Sequence, residues 1–262
     1  MQEPTISQLK WTDASVDQLS MPAPNSLLLC SVSLTRAGKS VLSDSQRLRA
    51  VEMLSDIQWD RYERRQGTAS DTYLTGRYYL LCLIGQLTGQ TAEQVQLSYN
   101  RLNKPFLQPN PLGLEFNFTD TTTRHDGVEQ SFGLFAFCLN EHVGVDLEMP
   151  DRAAATSKIA TRRFTADELE FAKCDDENTA AQRFLQVWTR KEAFGKACGV
   201  GINFKMNALN LLNPSEPTFR FENRDQHWCL HQFLGPNQEI ACVVHSGTAH
   251  KTLTAVKIQT EL

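Results

Sequence analysis

The chain has 262 residues, a formal net charge of −4 at pH 7 and an apolar content of 41%. A chain of this length can bury a substantial core, and it exceeds the usual size of one domain, so it contains one large unit or two modest ones. The net negative charge, without any dense run of Lys and Arg, argues against a nucleic-acid-binding protein with a globally basic surface. The longest apolar run, 78–85, is far too short to cross a bilayer, so we predict no membrane association.

In the first half of the chain, hydrophobic periodicity predicts two helices among several strands. The first helix spans 45–60, with an apolar stripe, and the second spans 71–88 and ends at Gly89. The predicted strands are 26–34, 114–118 and 131–138. The strand at 131–138 is apolar enough to be buried on both faces.

In the second half, two capping-box patterns predict where helices begin. Thr165-x-x-Glu168 and Thr179-x-x-Gln182 place the two starts at residues 166 and 180. The second helix runs to residue 198, and glycines at 199 and 201 end it. The strands predicted after it are 207–212, 218–222, 228–233, 240–245 and 253–258. The first capping pattern also gives Glu168 an ordinary structural role.

The cysteines and histidines show no metal-binding spacing. Seven cysteines are widely separated and none forms a C-x-x-C motif, which argues against a zinc site and against a disulfide framework. Free thiols persist in a reducing compartment, so we expect a cytoplasmic protein. The six histidines are scattered, and the sequence favours structural roles for His227, His231 and His245 over roles as ligands.

An acidic cluster at 144–148 reads Gly-Val-Asp-Leu-Glu. In a strand, Asp146 and Glu148 share one face while Val145 and Leu147 pack behind them. Two neighbouring carboxylates either repel each other or hold a cation. The alternative is that they mark the solvated face of an edge strand.

A second charged cluster, at 188–196, lies on a predicted helix. Helical spacing places Lys191 beside apolar surface, with Glu192 and Lys196 on its flank. Glu192 and Lys196 are also four residues apart, a pair that stabilises an exposed helix by about 0.2–0.5 kcal/mol, and this ordinary interpretation stays open. Together the two clusters favour a polyphosphate held by magnesium, which takes one or two protein carboxylates and completes its shell with phosphate oxygens and water.

The two clusters, in this order and at this separation, resemble the signature of the 4'-phosphopantetheinyl transferases. The family pattern G-[VI]-D-[LIV]-E followed by W-x-x-K-E-[AS]-x-x-K-x-x-G is matched at 144–148 and 188–199. Further segments that resemble family elements lie at 103–106, 116–119 and 162–169. The resemblance extends from about residue 73 to about residue 210, and both ends of the chain match nothing specific.

The resemblance implies an α+β fold of two similar halves related by a pseudo-two-fold, with the active site in the cleft between them. We place the boundary so that 1–140 form the N-terminal half and 141–262 form the C-terminal half with both charged clusters. The chain length is similar to that of the larger, broad-acceptor branch of the family, whose members work as monomers.

The resemblance also implies the members of the site. Asp146, Glu148 and Glu192 would hold magnesium, and Lys191 and Lys196 would neutralise phosphate oxygens. Glu192 and Lys196 would act in catalysis, with Glu192 as the candidate base. The further residues implied to bind coenzyme A are Lys104, Pro105, Asn117, Thr119 and Arg77. For Arg77, a plain helix-surface role is an equally good interpretation.

The implied reaction transfers the 4'-phosphopantetheine group from coenzyme A to a serine of an acyl or peptidyl carrier protein and releases adenosine 3',5'-bisphosphate. Because the nucleophile belongs to the partner, the chain needs no Ser-His-Asp set, and its sequence suggests none. Two other classes stay open: a noncatalytic module that binds coenzyme A or a carrier protein, and a metal-dependent phosphohydrolase.

One position departs from the family pattern. Where the family has F-N-[LI]-S-H-S, residues 116–121 read F-N-F-T-D-T, so Asp120 replaces a histidine that helps to hold the 3'-phosphate of coenzyme A. An aspartate at this position repels a phosphate. Arg124 and His125 would supply the missing positive charge if the loop folds back, and the alternative is weakened coenzyme A binding.

Overall fold

The computed structural model describes residues 6–152, 160–199, 206–212, 218–220 and 227–260. Helices and strands contribute comparably within these residues, which confirms the predicted α+β class. None of the helices in this described part is long and apolar enough to cross a membrane.

The described elements are as follows in chain order. The strands are β1 (Ser7–Gln8), β2 (Trp11–Ala14), β3 (Ser26–Arg36), β4 (Lys39–Ser40), β5 (Leu97–Tyr99), β6 (Pro105–Leu107), β7 (Leu114–His125), β8 (Val128–Leu139), β9 (Val143–Glu148), β10 (Thr218–Arg220), β11 (His227–Leu234), β12 (Ile240–Ser246) and β13 (Thr252–Ile258). The α-helices are α1 (Asp44–Glu52), α2 (Asp56–Glu63), α3 (Thr68–Thr88), α4 (Ala160–Arg163), α5 (Ala166–Ala172) and α6 (Glu177–Cys198). Short 3-10 helices lie at Val16–Gln18, Ala92–Gln94, Pro150–Arg152 and Met206–Ala208.

Two larger sheets organise the molecule. The first has the order β2-β13-β3-β8-β7, with β4 added to β3. The second has the order β1-β11-β12-β9, with β10 added to β11. Strands β5 and β6 form a separate small antiparallel sheet.

The terminal strands each pair within the sheet formed mainly by the opposite half of the chain. Strand β1 pairs in parallel with β11, while β13 pairs in parallel with both β2 and β3. A cut between residues 140 and 141 would therefore separate each terminal strand from its sheet. The boundary predicted at that point and the pseudo-two-fold relation between the halves both stay predictions.

The first sheet is covered on one face by α3 and on the other by the second sheet. As predicted, β8 is buried on both faces: Phe135 and Phe137 belong to the cluster under α3, whereas Leu134 and Ala136 belong to the cluster shared with β9, β11 and β12. Helix α6 packs against the opposite face of the second sheet through Ala193 and its neighbours. The second sheet thus has one face toward the first sheet and one toward α6.

Gly144 brings α6 unusually close to β9. A Cβ at this position would collide with the backbone of Ala193 and Ala197, so only glycine permits the observed approach. Gly199 then ends α6 in the left-handed conformation at φ 67°, as predicted. The close approach places the last turns of α6 directly against the acidic strand.

Two predictions for the first half were wrong. The helix predicted over 45–60 is broken into α1 and α2, because Ser55 and Gln58 form a new capping box after Met53 ends α1. Only part of the predicted apolar stripe packs inward: Val51 and Leu54 lie partly buried against the core, whereas Leu48 is 68% and Ile57 is 56% exposed. Strand β7 is also longer than predicted and continues to His125.

Two predictions for the second half were also wrong. Helix α6 begins at Glu177 rather than at residue 180, because Asp176 accepts a hydrogen bond from the backbone of Thr179 at 2.7 Å. The strand predicted at 207–212 is instead a 3-10 turn followed by irregular chain. Positions 201, 221 and 222, which other predictions include, lie outside the described residues. Helix α5 begins at Ala166, as predicted.

Candidate active site

The centre of the site is an ion pair between α6 and β9. Lys196 Nζ lies 2.6 Å from Asp146 Oδ1 and also donates to the Val145 carbonyl at 3.1 Å. It donates further to Thr119 Oγ1 on β7 at 2.8 Å, and this hydroxyl donates to the same Asp146 oxygen at 3.2 Å. Three elements distant in sequence therefore meet at one carboxylate.

Side chains of β7 hold β9 in place, although the two strands belong to different sheets. Asn117 Oδ1 accepts a hydrogen bond from the Val145 backbone N–H at 2.8 Å. Further along both strands, Thr121 Oγ1 donates to Glu148 Oε2 at 3.3 Å. The Thr119–Asp146 and Thr121–Glu148 contacts are two residues apart on both strands, so Asp146 and Glu148 share a face, as predicted.

The two oxygens of Asp146 are in different situations. One accepts from Lys196 and Thr119, whereas Oδ2 is buried without a protein hydrogen-bond partner. Burial raises the pKa of this carboxyl group, and the Lys196 ammonium opposes the rise. A buried carboxylate oxygen without a donor is costly, and a bound cation would satisfy it.

Glu192 and Glu148 are the other carboxylates assigned to this site. Both are half-buried. Burial raises the pKa of Glu192, and the negative charge of Asp146 raises it further. The described residues hold no complete cluster of three or more metal-ligating side chains.

Lys191 does not lie in this site, and the phosphate role predicted for it does not fit its surroundings. Its side chain is fully buried and pairs with the equally buried Glu168, with 2.7 Å between Nζ and Oε2. The ammonium also donates to the carbonyls of Met206 and Leu209, the latter at 2.6 Å. All its donors are occupied within the core, so Lys191 is a structural residue.

The side chain of Lys104 also binds backbone carbonyl groups. Its Nζ donates to the carbonyls of Val143 at 2.9 Å and Ala197 at 3.2 Å. It thereby ties the β5–β6 hairpin to the start of β9 and the end of α6, and the coenzyme A contact predicted for its ammonium does not fit this geometry. Pro105 follows it at the start of β6 and is half-buried.

Arg77 lies close enough to Asp120 for its charge to act on that carboxyl group. Its guanidinium lies over the Tyr73 ring at 5.2 Å and the Phe118 ring at 5.9 Å, and its Nε and Nη1 are buried without hydrogen-bond partners. Asp120 has an exposed side chain, but the surrounding protein still raises its pKa through desolvation, against the charges of Lys196, Arg77 and Arg65. The charges of these three cations thus act on the position where the family pattern has histidine.

The compensation expected from Arg124 and His125 is not the one that the structure shows. Arg124 pairs with Glu129 at 2.6 Å, and His125 lies 3.1 Å from Asp126 at the exposed end of the β7–β8 hairpin. Arg65 belongs to a basic cluster at 61–65 that the sequence allowed to meet phosphates or an acidic partner, or to be a solvated helix face, but it was not assigned to this site, because its position near Asp120 depends on packing between segments distant in sequence. Thr121 was missed as well, although its spacing from Thr119 matches the spacing of the two acidic residues on β9.

One surface pocket lies away from these residues. It is lined by residues of the first half that include Arg49, Gln58, Tyr99 and Gln108, and by none of the predicted site residues. The Asp146–Lys196 pair is the stronger indication of chemistry, because burial raises the pKa of Asp146 and of Glu192, on which the charge of Asp146 acts.

Comparison with known proteins identifies the family. A family model described as the 4'-phosphopantetheinyl transferase superfamily matches residues 142–244. Those residues of the chain are similar to this superfamily. The matched segment contains Asp146, Glu148, Glu192 and Lys196, and the family predicted from the two charged clusters is confirmed.

Curated relatives agree with this family. The 4'-phosphopantetheinyl transferase HetI of Nostoc sp. is 29% identical over 178 residues, which are 67% of this chain and 70% of HetI. The Synechocystis sp. protein slr0495 is 28% identical over 65% of this chain and 67% of its own length. The mouse L-aminoadipate-semialdehyde dehydrogenase-phosphopantetheinyl transferase is 29% identical over 52% of this chain and 45% of its own length. The predicted enzyme class, a phosphopantetheinyl transferase, is confirmed.

Proposed function

We propose that this transferase takes the 4'-phosphopantetheine group from coenzyme A, passes it to a serine hydroxyl of an acyl or peptidyl carrier protein, and releases adenosine 3',5'-bisphosphate in a magnesium-dependent reaction. The observation that carries the proposal is the site where Lys196 and Thr119 share one Asp146 oxygen while the other oxygen is buried and unpartnered. The names of the relatives support the transferred group, and the charges of the site support the donor.

Asp146, Glu148 and Glu192 would hold the magnesium ion. Their donor set fits a hard cation, because carboxylate oxygens are the ligands that magnesium takes from proteins and Asp146 Oδ2 lacks any other partner. When bound, the ion would offset the charge on the pyrophosphate oxygens during transfer.

Lys196 supplies the positive charge of the protein itself. Its side chain is 28% exposed, whereas that of Asp146 is 7% exposed, so the ammonium lies on the accessible side of the pair. From there it neutralises a phosphate oxygen while Thr119 keeps its position through a second hydrogen bond. This fixed placement costs no reorganisation when the phosphoryl group is transferred.

Glu192 accepts the proton of the serine hydroxyl. A general base works best when its pKa is close to the working pH, and both burial and Asp146 move the pKa of Glu192 upward from its ordinary value. The carrier protein supplies the nucleophile and reaches the site transiently. We propose that the enzyme acts as a cytoplasmic monomer without nucleic-acid or membrane partners.

Arg77 and Arg65 carry the 3'-phosphate contact that Asp120 cannot make. Two guanidinium nitrogens of Arg77 have no protein hydrogen-bond partner, and the Arg65 guanidinium lies 4.4 Å from the centre of the Tyr73 ring between them. The charges of both arginines act on Asp120. A phosphate near this position would gain two cations and meet one repelling carboxylate.

The intact mass of an apo carrier protein after incubation with this protein, coenzyme A and magnesium tests the proposal. We expect a gain of one phosphopantetheine group with wild type and none with Asp146→Ala or with a carrier whose acceptor serine is alanine. Release of bisphosphate without a carrier would indicate a phosphohydrolase. No gain on fatty-acid, polyketide and peptide carriers would overturn the proposal and favour a binding module.

A further inference from the structure

Three histidine rings converge on the second sheet, on the face that is turned away from α6. His231 on β11 and His245 on β12 have their Nε2 atoms 3.4 Å apart. His250, in the loop before β13, places Nδ1 3.4 Å from the same His231 nitrogen. The cluster lies on the face that carries Phe233 and Val243, opposite the face of Asp146.

Hydrogen bonding alone does not account for this arrangement. An imidazole nitrogen has either one proton or one lone pair, so His231 Nε2 can serve only one of its two neighbours. Both N–N distances also exceed the donor–acceptor distance of about 2.7–3.2 Å that is usual for a hydrogen bond in a protein. The N–N distances instead equal the distance between two nitrogen ligands of one tetrahedral zinc ion, which is about 3.4 Å when each Zn–N bond is about 2.0–2.1 Å long.

Glu141 orients the His245 ring by contacting Nδ1, the ring nitrogen that does not face His231. Its Oε2 lies 2.8 Å from Nδ1 of His245, whose side chain is fully buried, and Lys251 holds the other carboxylate oxygen at 3.1 Å. A carboxylate on Nδ1 fixes the proton there and leaves the Nε2 lone pair directed toward His231. This is the carboxylate–histidine arrangement that supports zinc ligands.

We propose that His231, His245 and His250 form a zinc site that is separate from the magnesium-binding carboxylates. The rings of His245 and His250 do not contact each other, so the described residues do not yet form a closed ligand set. His250 is exposed, and a rotation of its side chain closes the set with water as the fourth ligand.

The site would join the two sheets. His231 and His245 belong to the second sheet, whereas His250 directly precedes β13 of the first sheet. A bound ion would therefore stabilise the folded state, because the unfolded chain does not hold the three rings together. The sequence interpretation of His231 and His245 as purely structural is replaced by this proposal.

Isothermal titration of the tag-free full-length protein with zinc chloride tests the site, with His250→Gln as the variant. His125→Gln is the matched control, because His125 is also exposed but lies on the β7–β8 hairpin. We expect one zinc ion per wild-type or control molecule, and at least about tenfold weaker binding by His250→Gln. At a zinc concentration 100 times the dissociation constant, the melting temperature of wild type should rise by about 5–10 °C.

Cobalt provides a second measurement and Glu141→Gln a second variant. Cobalt bound to wild type should give the intense visible absorption of a tetrahedral nitrogen-rich site, and His250→Gln should lack it. Glu141→Gln should weaken zinc binding by about 10–100-fold, as the loss of a carboxylate behind a ligand histidine does. Absence of zinc binding to wild type, or equal binding by His250→Gln and His125→Gln, would overturn the proposal whether or not the protein transfers phosphopantetheine.

Discussion

Helix α6 carries two lysines that each pair with an acidic residue, and the two pairs differ in what surrounds them. In the Glu168–Lys191 pair both side chains are fully buried, and the distance is 2.7 Å. In the Asp146–Lys196 pair the distance is 2.6 Å, but the lysine side chain is 28% exposed. Distance alone therefore does not distinguish a structural ion pair from one that we propose to act in catalysis.

The difference is in how completely each acid is satisfied. Glu168 accepts from the backbone N–H groups of Thr165 at 2.7 Å and Leu211 at 2.9 Å in addition to its lysine. Asp146 Oδ2 accepts from nothing in the protein. A fully satisfied buried pair holds elements together, whereas an unsatisfied carboxylate beside an accessible lysine is available to a ligand.

The largest effect on folding is expected from Lys191→Met. Removal of one member leaves Glu168 as an unpaired buried charge, which should lower the free energy of unfolding by about 3–5 kcal/mol in urea titrations. The control is Lys173→Met, which breaks an exposed pair with Glu170 and should change stability by less than about 1 kcal/mol. A loss below 1 kcal/mol for Lys191→Met would contradict the structural role.

The largest effect on activity is expected from Lys196→Met. Loss of a positioned charge at the phosphoryl group should reduce the turnover number by about 10²–10³. Because the Lys196 side chain is partly exposed, the free energy of unfolding should change by less than for Lys191→Met. Turnover measured on carrier protein within tenfold of wild type would show that Lys196 is not the phosphate ligand.

A smaller effect on stability is expected from Lys104→Met. The variant loses two hydrogen bonds to backbone carbonyls and should be less stable by about 1–3 kcal/mol. Its Michaelis constant for coenzyme A should equal that of wild type, since the ammonium faces the backbone. A selective rise of that constant without destabilisation would restore the cofactor role predicted from the sequence.

Asp120→Asn tests the charges around the 3'-phosphate. Removal of one negative charge near a bound phosphate should lower the Michaelis constant for coenzyme A by about fivefold, which corresponds to about 1 kcal/mol. The effect should diminish in Arg77→Met, because the phosphate then loses its nearest partner. A higher constant in Asp120→Asn would show that the aspartate contributes to binding.

The smallest effect is a pH-dependent change of stability in Glu192→Gln. The folded protein raises the pKa of Glu192, so wild type loses stability as the pH rises through that value. Below the ordinary pKa of glutamic acid, about 4.3, the residue is neutral in both states and makes no such contribution. Relative to wild type, the variant should therefore gain stability from about pH 4 toward neutrality, and a constant difference would contradict the raised pKa.

Local sequence patterns predicted one part of the site well. The alternation of apolar and acidic residues at 144–148 was sufficient to place Asp146 and Glu148 on one face of the strand. Gly199 correctly marked the end of α6. Both features depend on neighbours within a few residues. The break between α1 and α2 also had a local signal, the capping box at Ser55, that the apolar stripe obscured.

The rest depends on partners distant in sequence. The burial of Lys191 is set by Glu168 and by carbonyls of 206 and 209, which no helical pattern reveals. The exchange of β1 and β13 between the sheets depends on strand pairing across more than two hundred residues. The three histidines likewise come together only because β11, β12 and the loop before β13 meet.

The most direct test of the difference between the two pairs is the turnover number per folded molecule of Lys191→Met, compared with Lys196→Met, on one carrier protein. The folded fraction of each variant is measured at the assay temperature by circular dichroism. We predict that folded Lys191→Met keeps its turnover within about tenfold of wild type, while Lys196→Met falls by about 10²–10³. An equal fall in both folded variants would contradict the assignment of Lys191 to the core and Lys196 to the chemistry.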